Sequence, residues 1–308
     1  MRIVTLLPSA TEIVYALDAE PVAVSHECDY PPEAAEKPAV NRSRVDPSAS
    51  SSEIDEQVLE AERGDGVYEI DLDALEGADP DLIVTQGVCD VCAVDSVLVE
   101  DAIAELGLDT EVLTTDPHSL GDVLADIERI GEAIGAEHQA GELVADLRKR
   151  VRAIETRVSG ASDPGNRPRV AVLDWLDPVM IAGHWVPELV ETAGGTYDLA
   201  APGDRSEPYE WADVREYDPE VLVAAPCGFD LEQTDENLAD LTERPGWDEV
   251  SAVRANRTVA IDGSAYLNRP GPRLVDSLEL LARVIHPEAF DDDPAAGDGV
   301  KPLATMPA

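Results

Sequence analysis

The longest helical signal in the chain runs from Ser119 to Val158, and it fixes how everything else can be arranged. Leu120, Val123, Leu124, Ile127, Ile130 and Ile134 form one stripe at helical spacing, which Leu143, Val144, Leu147, Val151, Ile154 and Val158 continue. Gly131 is tolerable inside the first half, whereas Gly135 sits where a left-handed cap ends a helix. The segment therefore divides into one helix to Ile134 and a second over about 136–158. At 1.5 Å per residue the second is on the order of 35 Å long, about the width of a small domain. Alternating strand and helix signals precede and follow it. The expected fold class is α/β: two lobes on one helical spine, with a ligand cleft between the lobes.

Residues 1–118 form the expected N-terminal lobe, 119–158 the helical segment, 159–288 the C-terminal lobe, and 289–308 a disordered acidic and Pro/Ala-rich tail. Strands are expected over Arg2–Leu7, Pro21–Ser25, Asp81–Thr85, Thr110–Thr114, Arg169–Asp174, Val179–Ile181, Glu220–Ala225 and Thr258–Ile261. The apolar run of Asp81–Thr85 is of the kind buried in parallel sheets. Ser50 and Glu53 make a capping box that opens a helix to Arg63, Ser9 and Thr11 can cap a first helix, and a helix is expected over Leu231–Glu243.

Ligands of open parallel sheets bind beyond the carboxyl ends of the strands. The scarce aromatic and chemically distinctive residues of this chain collect there: His26, Cys28 and Tyr30; Gln86, Cys89 and Cys92; Trp175; His184 and Trp185; Cys227 and Phe229; Tyr266, Asn268 and Arg269. Any one of them could simply close a core. Together they point to an aromatic-lined cleft for a large, flat or greasy ligand. His118 and His138 read as solvent-facing, and His286 as a charge at a helix C-terminus.

The same stretches resemble the substrate-binding proteins of ABC importers for cobalamin and ferric siderophores, and most of all the cobalamin-binding branch. Leu6-Leu7-Pro8-Ser9-Ala10-Thr11-Glu12-Ile13 carries the likeness, as do Val24-Ser25 with Asp29-Tyr30-Pro31-Pro32, Pro80-Asp81-Leu82-Ile83-Val84, and Arg269-Pro270-Gly271-Pro272-Arg273. It spans about residues 1–287. The resemblance implies two Rossmann-like lobes joined by a single rigid helix, a corrinoid (cobalamin or cobinamide) held between them, and a permease and an ATPase as partners. It also implies that Tyr30 and Arg269 contact the corrinoid; the strand-exit residues Gln86, Trp175, His184, Trp185, Phe229, Tyr266 and Asn268 complete the expected ligand-binding set. Where the cobalamin branch has a tryptophan after its Pro-Asp strand this chain has Gln86, and a contacting aspartate before the C-terminal arginine is Ala265 here.

Cys89-x-x-Cys92 follows a strand and precedes a helix, as redox and metal pairs do. With Cys28, Cys227 and His26 at other strand exits, zinc or an iron–sulfur cluster is an alternative cofactor, and a Cys-ligated metal or redox protein an alternative function. No nucleophile elbow, Walker loop, HExxH or dinucleotide fingerprint occurs, so no enzyme is expected.

Charge excludes other classes. The chain has 308 residues, 65 of them acidic and 22 basic, for a net charge of -43. Such a surface repels nucleic acid and anionic membranes, and suits a halophilic protein screened by multimolar salt. The expected species is a monomer with a small-molecule ligand. As written, Met1-Arg2 enters a five-residue apolar strand with neither a signal peptide nor a lipoprotein motif. The sequence as it stands therefore reads as cytoplasmic, and as extracytoplasmic if its true start lies upstream. A cytoplasmic corrinoid or haem carrier on the same fold is the second alternative.

Overall fold

The computed structural model describes residues 1–64, 66–87, 94, 96–160, 165, 167–290 and 299–303. The chain forms two compact units. One comprises Met1–Ala49, Glu53–Pro117 and Gly121–Asp146; the other comprises Ser50–Ser52, His118–Leu120 and Leu147–Ala308. The division falls inside the long helix rather than setting 119–158 apart.

The first unit contains β1 (Ile3–Thr5), α1 (Pro8–Ala16), β2 (Ala23–Val24), β3 (Asn41–Ser43), α2 (Ser51–Glu62), β4 (Tyr68–Ile70), α3 (Leu72–Ala78), β5 (Leu82–Gln86), α4 (Ser96–Leu106), β6 (Glu111–Thr115) and α5 (Leu120–Ile134). The first residues of α2 and α5 are counted with the second unit. Its main sheet has the order β2-β1-β5-β6, every pair parallel, with Val4 between Ala23 and Ile83. All five residues of β5 are buried, which is why its sequence lacks alternation. A two-stranded antiparallel pair, β3 with β4, was not expected; three-residue strands are too short to show a period. Ser9 and Thr11 do not cap α1: Pro8 occupies its first turn, with a fixed φ suited to that position and no N–H to satisfy. In α3 the Asp71 side chain accepts from Ala74 N–H at 3.0 Å.

Gly135 ends α5 with φ of 73°, as its place in the sequence requires, and α6 (Glu137–Val158) follows at once. The Ala136 N–H returns to the Gly131 carbonyl at 2.7 Å. A Cβ on Gly131 would lie 2.5 Å from that of Ala140, so this glycine permits the two helices to meet. Leu120, Val123, Leu124, Ile127 and Ile130 of α5 are buried, as are Val144, Leu147, Ile154 and Val158 of α6. Burying each such side chain contributes roughly 1.5–3 kcal/mol.

Asp126 sits on the buried side of α5 with its carboxylate 2.6 Å from Arg129. Burial raises its pKa more than the guanidinium lowers it. The folded protein therefore takes up this proton before the unfolded chain does, and gains stability as pH falls through the folded pKa. Against an Asp126→Asn variant, the parent should gain in melting temperature between pH 7 and mildly acidic pH. Parallel curves would remove Asp126 from the account.

The second unit contains β7 (Val170–Trp175), β8 (Met180–Ile181), α7 (Val186–Thr192), β9 (Glu207–Pro208), α8 (Trp211–Tyr217), β10 (Val221–Ala224), α9 (Leu231–Glu236), α10 (Ala239–Thr242), α11 (Ser251–Arg254), β11 (Thr258–Ile261), α12 (Leu274–Ile285) and β12 (Val300–Pro302). The sheet order is β12-β11-β10-β7-β8-β9. Only the β11–β10 and β10–β7 pairings are parallel, so this sheet is mixed rather than parallel throughout. The expectation of an unstructured tail fails at Val300–Pro302: Val300, whose side chain is buried, pairs with Ile261 on the sheet edge. The expected helix over Leu231–Glu243 is two short ones, α9 and α10. Arg150 of α6 donates to Glu279 of α12 at 2.9 Å and pairs with Asp276, tying the C-terminal half of α6 to this unit. Among the described residues no helix is long and apolar enough to cross a membrane.

Candidate functional site

The exits of β7, β10 and β11 in the second unit are built as one frame. Trp175 closes β7; its indole N–H donates to the Ser51 carbonyl at 3.2 Å, and its ring lies 5.0 Å from that of Phe229. Ser51 is held in turn, its N–H donating to Asn237 Oδ1 at 3.0 Å and its hydroxyl to Asp240. Trp185, just before α7, donates its indole N–H to the Leu267 carbonyl at 2.6 Å. Leu267 lies in the loop after β11 with φ of 62°, and its own N–H donates to Ser277 Oγ at 2.9 Å. Asp262 opens that loop by accepting from the N–H groups of Ser264 and Ala265 and from the Ser264 hydroxyl. Asn268 spends its amide on the Ala225 and Gly263 carbonyls, both at 3.0 Å, and so joins the loops after β10 and β11.

This frame redistributes the expected roles. Trp175, Trp185 and Phe229 are buried, and Asn268 is a fastener. The half-buried residues left at these exits are Cys227, Tyr266 and Arg269, with Arg273 5.9 Å over the Tyr266 ring, while His184, also half-buried, follows β8, which runs antiparallel to β7. His184 has φ of 52°, uncommon outside glycine; left-handed backbone costs an ordinary residue roughly 1–2 kcal/mol. His118 is not solvent-facing. It is half-buried within the second unit, its ring 6.3 Å from that of His184. Sequence spacing gave no sign of this pair, because the two residues are distant in the chain. His138 is exposed beside Glu142 on α6, as expected. His286, at the C-terminal end of α12, is 3% exposed; its ring bonds the Gly194 carbonyl at 3.1 Å and lies 3.3 Å from Glu288 Oε1.

In the first unit Tyr30 is 46% exposed at the exit of β2. Gln86 ends β5 and is buried. His26 is turned toward Asn41, whose side-chain oxygen accepts from its backbone N–H at 2.9 Å, and its ring stands 5.8 Å from Tyr68. Cys28 points elsewhere, into a cluster with Val24 and Ala34, with Sγ 3.0 Å from Thr11 Oγ1. Thr11 contacts Thr5 at 2.6 Å, so the thiol ends a buried hydroxyl chain that sequence spacing did not reveal. Cys89 and Cys92 lie outside the described residues. Among the described residues no three His, Cys, Asp or Glu side chains come together as a metal site, and the zinc or iron–sulfur expectation has no support in Cys28, His26 or Cys227.

A hollow in the second unit, lined by Arg167, Glu191 and Gly194 among others, lies at the opposite end of β7 from these exits. The unusual side chains are not there.

A family model described as periplasmic binding protein matches residues 3–265. The chain belongs to this family. Members of the periplasmic binding protein family are solute-binding proteins and not enzymes, in keeping with the absence of catalytic motifs. An uncharacterised ABC transporter substrate-binding lipoprotein of Bacillus subtilis is 25% identical over 296 residues, covering 94% of this chain and 82% of its own. The vitamin B12-binding protein of Vibrio cholerae is 27% identical over 282 residues, covering 90% and 86%. In fold the chain is similar to a periplasmic haem-binding protein from Pseudomonas aeruginosa, with a TM-score of 0.72, 18% identity and 94% of each chain covered. It is likewise similar to the Vibrio cholerae vitamin B12-binding protein, at 0.67, 22% identity, and 94% and 98% coverage. The α/β architecture read from the sequence is thus that of these solute binders.

Proposed function

We propose that the chain is the substrate-binding component of an ABC importer, working with a permease and an ATPase, and that its ligand is a corrinoid bound at the strand exits. The observation that carries this reading is the β7, β10 and β11 frame: buried indoles and Asn268 tie down the strand-exit loops from which half-buried Tyr266 and Arg269 project. A preformed apolar surface with a few fixed polar groups suits a large rigid ligand, because little ordering remains to oppose binding. The relationship to the vitamin B12-binding protein favours a corrinoid. The fold shared with haem-binding proteins supports a second reading, a porphyrin ligand. A carrier that works in the cytoplasm on the same ligand is distinguished by fractionation: recovery wholly with the envelope or the medium removes it.

The deciding measurement is an anaerobic visible-absorbance titration with aquocobalamin, cobinamide, haemin and a ferric hydroxamate in about 3 M KCl, where salt screens the surface charge. A saturable one-to-one change with a corrinoid, and a much weaker one with the other chelates, is the expected result. Preference for haemin would reassign the ligand. Indifference to all four would end the metal-chelate reading.

A further inference from the structure

We infer that the C-terminal strand β12 is a positioning element of the ligand site, with Gly299 holding the Tyr266 ring in place. The inference rests on the functional reading above and adds to it a segment beyond the residues that the family model matches, which end at 265. β12 lies antiparallel to β11 at the edge of the sheet, with Ile261 opposite Val300 and Ala260 opposite Lys301. Pro302 carries no N–H for the ladder, which suits an edge strand. Val300 and Leu303 are buried and so tie the strand down. The pairing runs one residue past β11 into the exit loop: the Asp262 N–H donates to the Gly299 carbonyl at 3.0 Å. Asp262 in turn sets the loop, its carboxylate accepting from the Ser264 and Ala265 N–H groups and its carbonyl from the Tyr266 N–H at 2.9 Å.

The ring of Tyr266 meets the same glycine. A Cβ on Gly299 would stand 2.4 Å from Tyr266 Cε2 and 3.1 Å from Cδ2, so the ring lies directly on the glycine backbone. Arg273 reaches the ring as well, 5.9 Å from its centroid. Nothing in the sheet asks for glycine at this point: the φ of Gly299 is not left-handed, and a glycine packs no side chain at a strand end. A strand that served only to cover the sheet edge would gain from a side chain here. The ring explains why there is none, because it occupies the space. Tyr266 is half-buried after β11, in the same loop as Arg269, and so belongs to the surface that the functional reading gives to the ligand. An aromatic ring offers a large rigid area at low cost in lost conformations, provided that its position is held. β12 supplies that hold.

The test is a double-mutant cycle: aquocobalamin and haemin titrations, in the same salt as above, of the parent, Gly299→Ala, Tyr266→Ala and the variant carrying both. The clash is with the end of a side chain, so the ring should give way before the strand does, and Gly299→Ala should fold with a melting temperature close to the parent's. Gly299→Ala should weaken binding about fivefold or more, and Tyr266→Ala about tenfold or more. In the Tyr266→Ala background Gly299→Ala should change nothing further, because the ring it displaces is absent. That non-additivity is the mark of positioning, since a loss through strand stability would recur in both backgrounds. Parent-like binding by Gly299→Ala or by Tyr266→Ala, an equal loss from Gly299→Ala in both backgrounds, or a Gly299→Ala protein that fails to fold overturns the inference and leaves the functional reading intact. Absence of any chelate binding by the parent removes both.

Discussion

Transferred from about 3 M KCl to about 0.1 M, the protein should unfold, because the range of charge repulsion grows from a few Å to roughly 10 Å. Acidic residues number 65 against 22 basic ones, and the net charge of -43 falls on a chain of ordinary size. Self-repulsion of this kind favours the expanded state. The transition has convenient reporters. All four tryptophans, Trp175, Trp185, Trp211 and Trp247, are at least nine-tenths buried, so emission should shift to the red as they reach water. Potassium and sodium chloride should restore native emission to similar extents, whereas sucrose, which favours compact states by exclusion without screening charge, should restore much less. Native emission and a cooperative melt in dilute buffer would show that acidity is not tied to salt in this protein.

The fold was legible wherever a long stretch kept one period. The stripes of α5 and α6 and the unbroken apolar run of β5 were readable because burial selects side chains at every turn, or at every position, of such elements. Gly135 was readable for a different reason: a helix that stops and another that starts at once leave one residue to carry the left-handed turn. What escaped were elements of two or three residues. β3, β4, β9 and β12 owe their existence to partners remote in the chain, and Val300 reads as tail until Ile261 is seen beside it.

For the site, location was more legible in the sequence than role. Strand exits are marked by the topology, so Trp175, His184, Trp185, Phe229 and Tyr266 could be gathered from the chain alone. Which of them brace and which stay open depends on hydrogen bonds to distant carbonyls. Trp175 meets Ser51, and Trp185 meets Leu267, across separations that no local pattern encodes. His118 escaped for the same reason. It follows Pro117 in a polar run, and only the packing of residues 118–120 in the second unit brings it to His184.

Gly263→Ala should cost about 3 kcal/mol or more and should abolish ligand binding in whatever folded protein remains. A Cβ at this position would stand 2.0 Å from the Pro226 carbonyl oxygen and 2.8 Å from its carbon. Both are backbone atoms, so no side-chain rotation relieves the contact; the loop after β11 must move away from the loop after β10. That movement pulls against Asn268, whose amide holds Ala225 and Gly263 together, and through the loop it reaches Leu267 and the Trp185 indole. The ligand-facing surface and the stability of the sheet end are therefore coupled at one residue. Gly141→Ala is the matched comparison: it adds the same methyl on α6, where nothing lies within 4 Å. There the substitution should stabilise by up to about 1 kcal/mol through helix propensity and leave binding unchanged. Melting temperatures and corrinoid titrations of the two variants in the same salt separate the cases. A Gly263→Ala protein that melts and binds like the parent would mean that the strand-exit loops are not the fixed frame that the Asn268, Leu267 and Trp185 bonds describe.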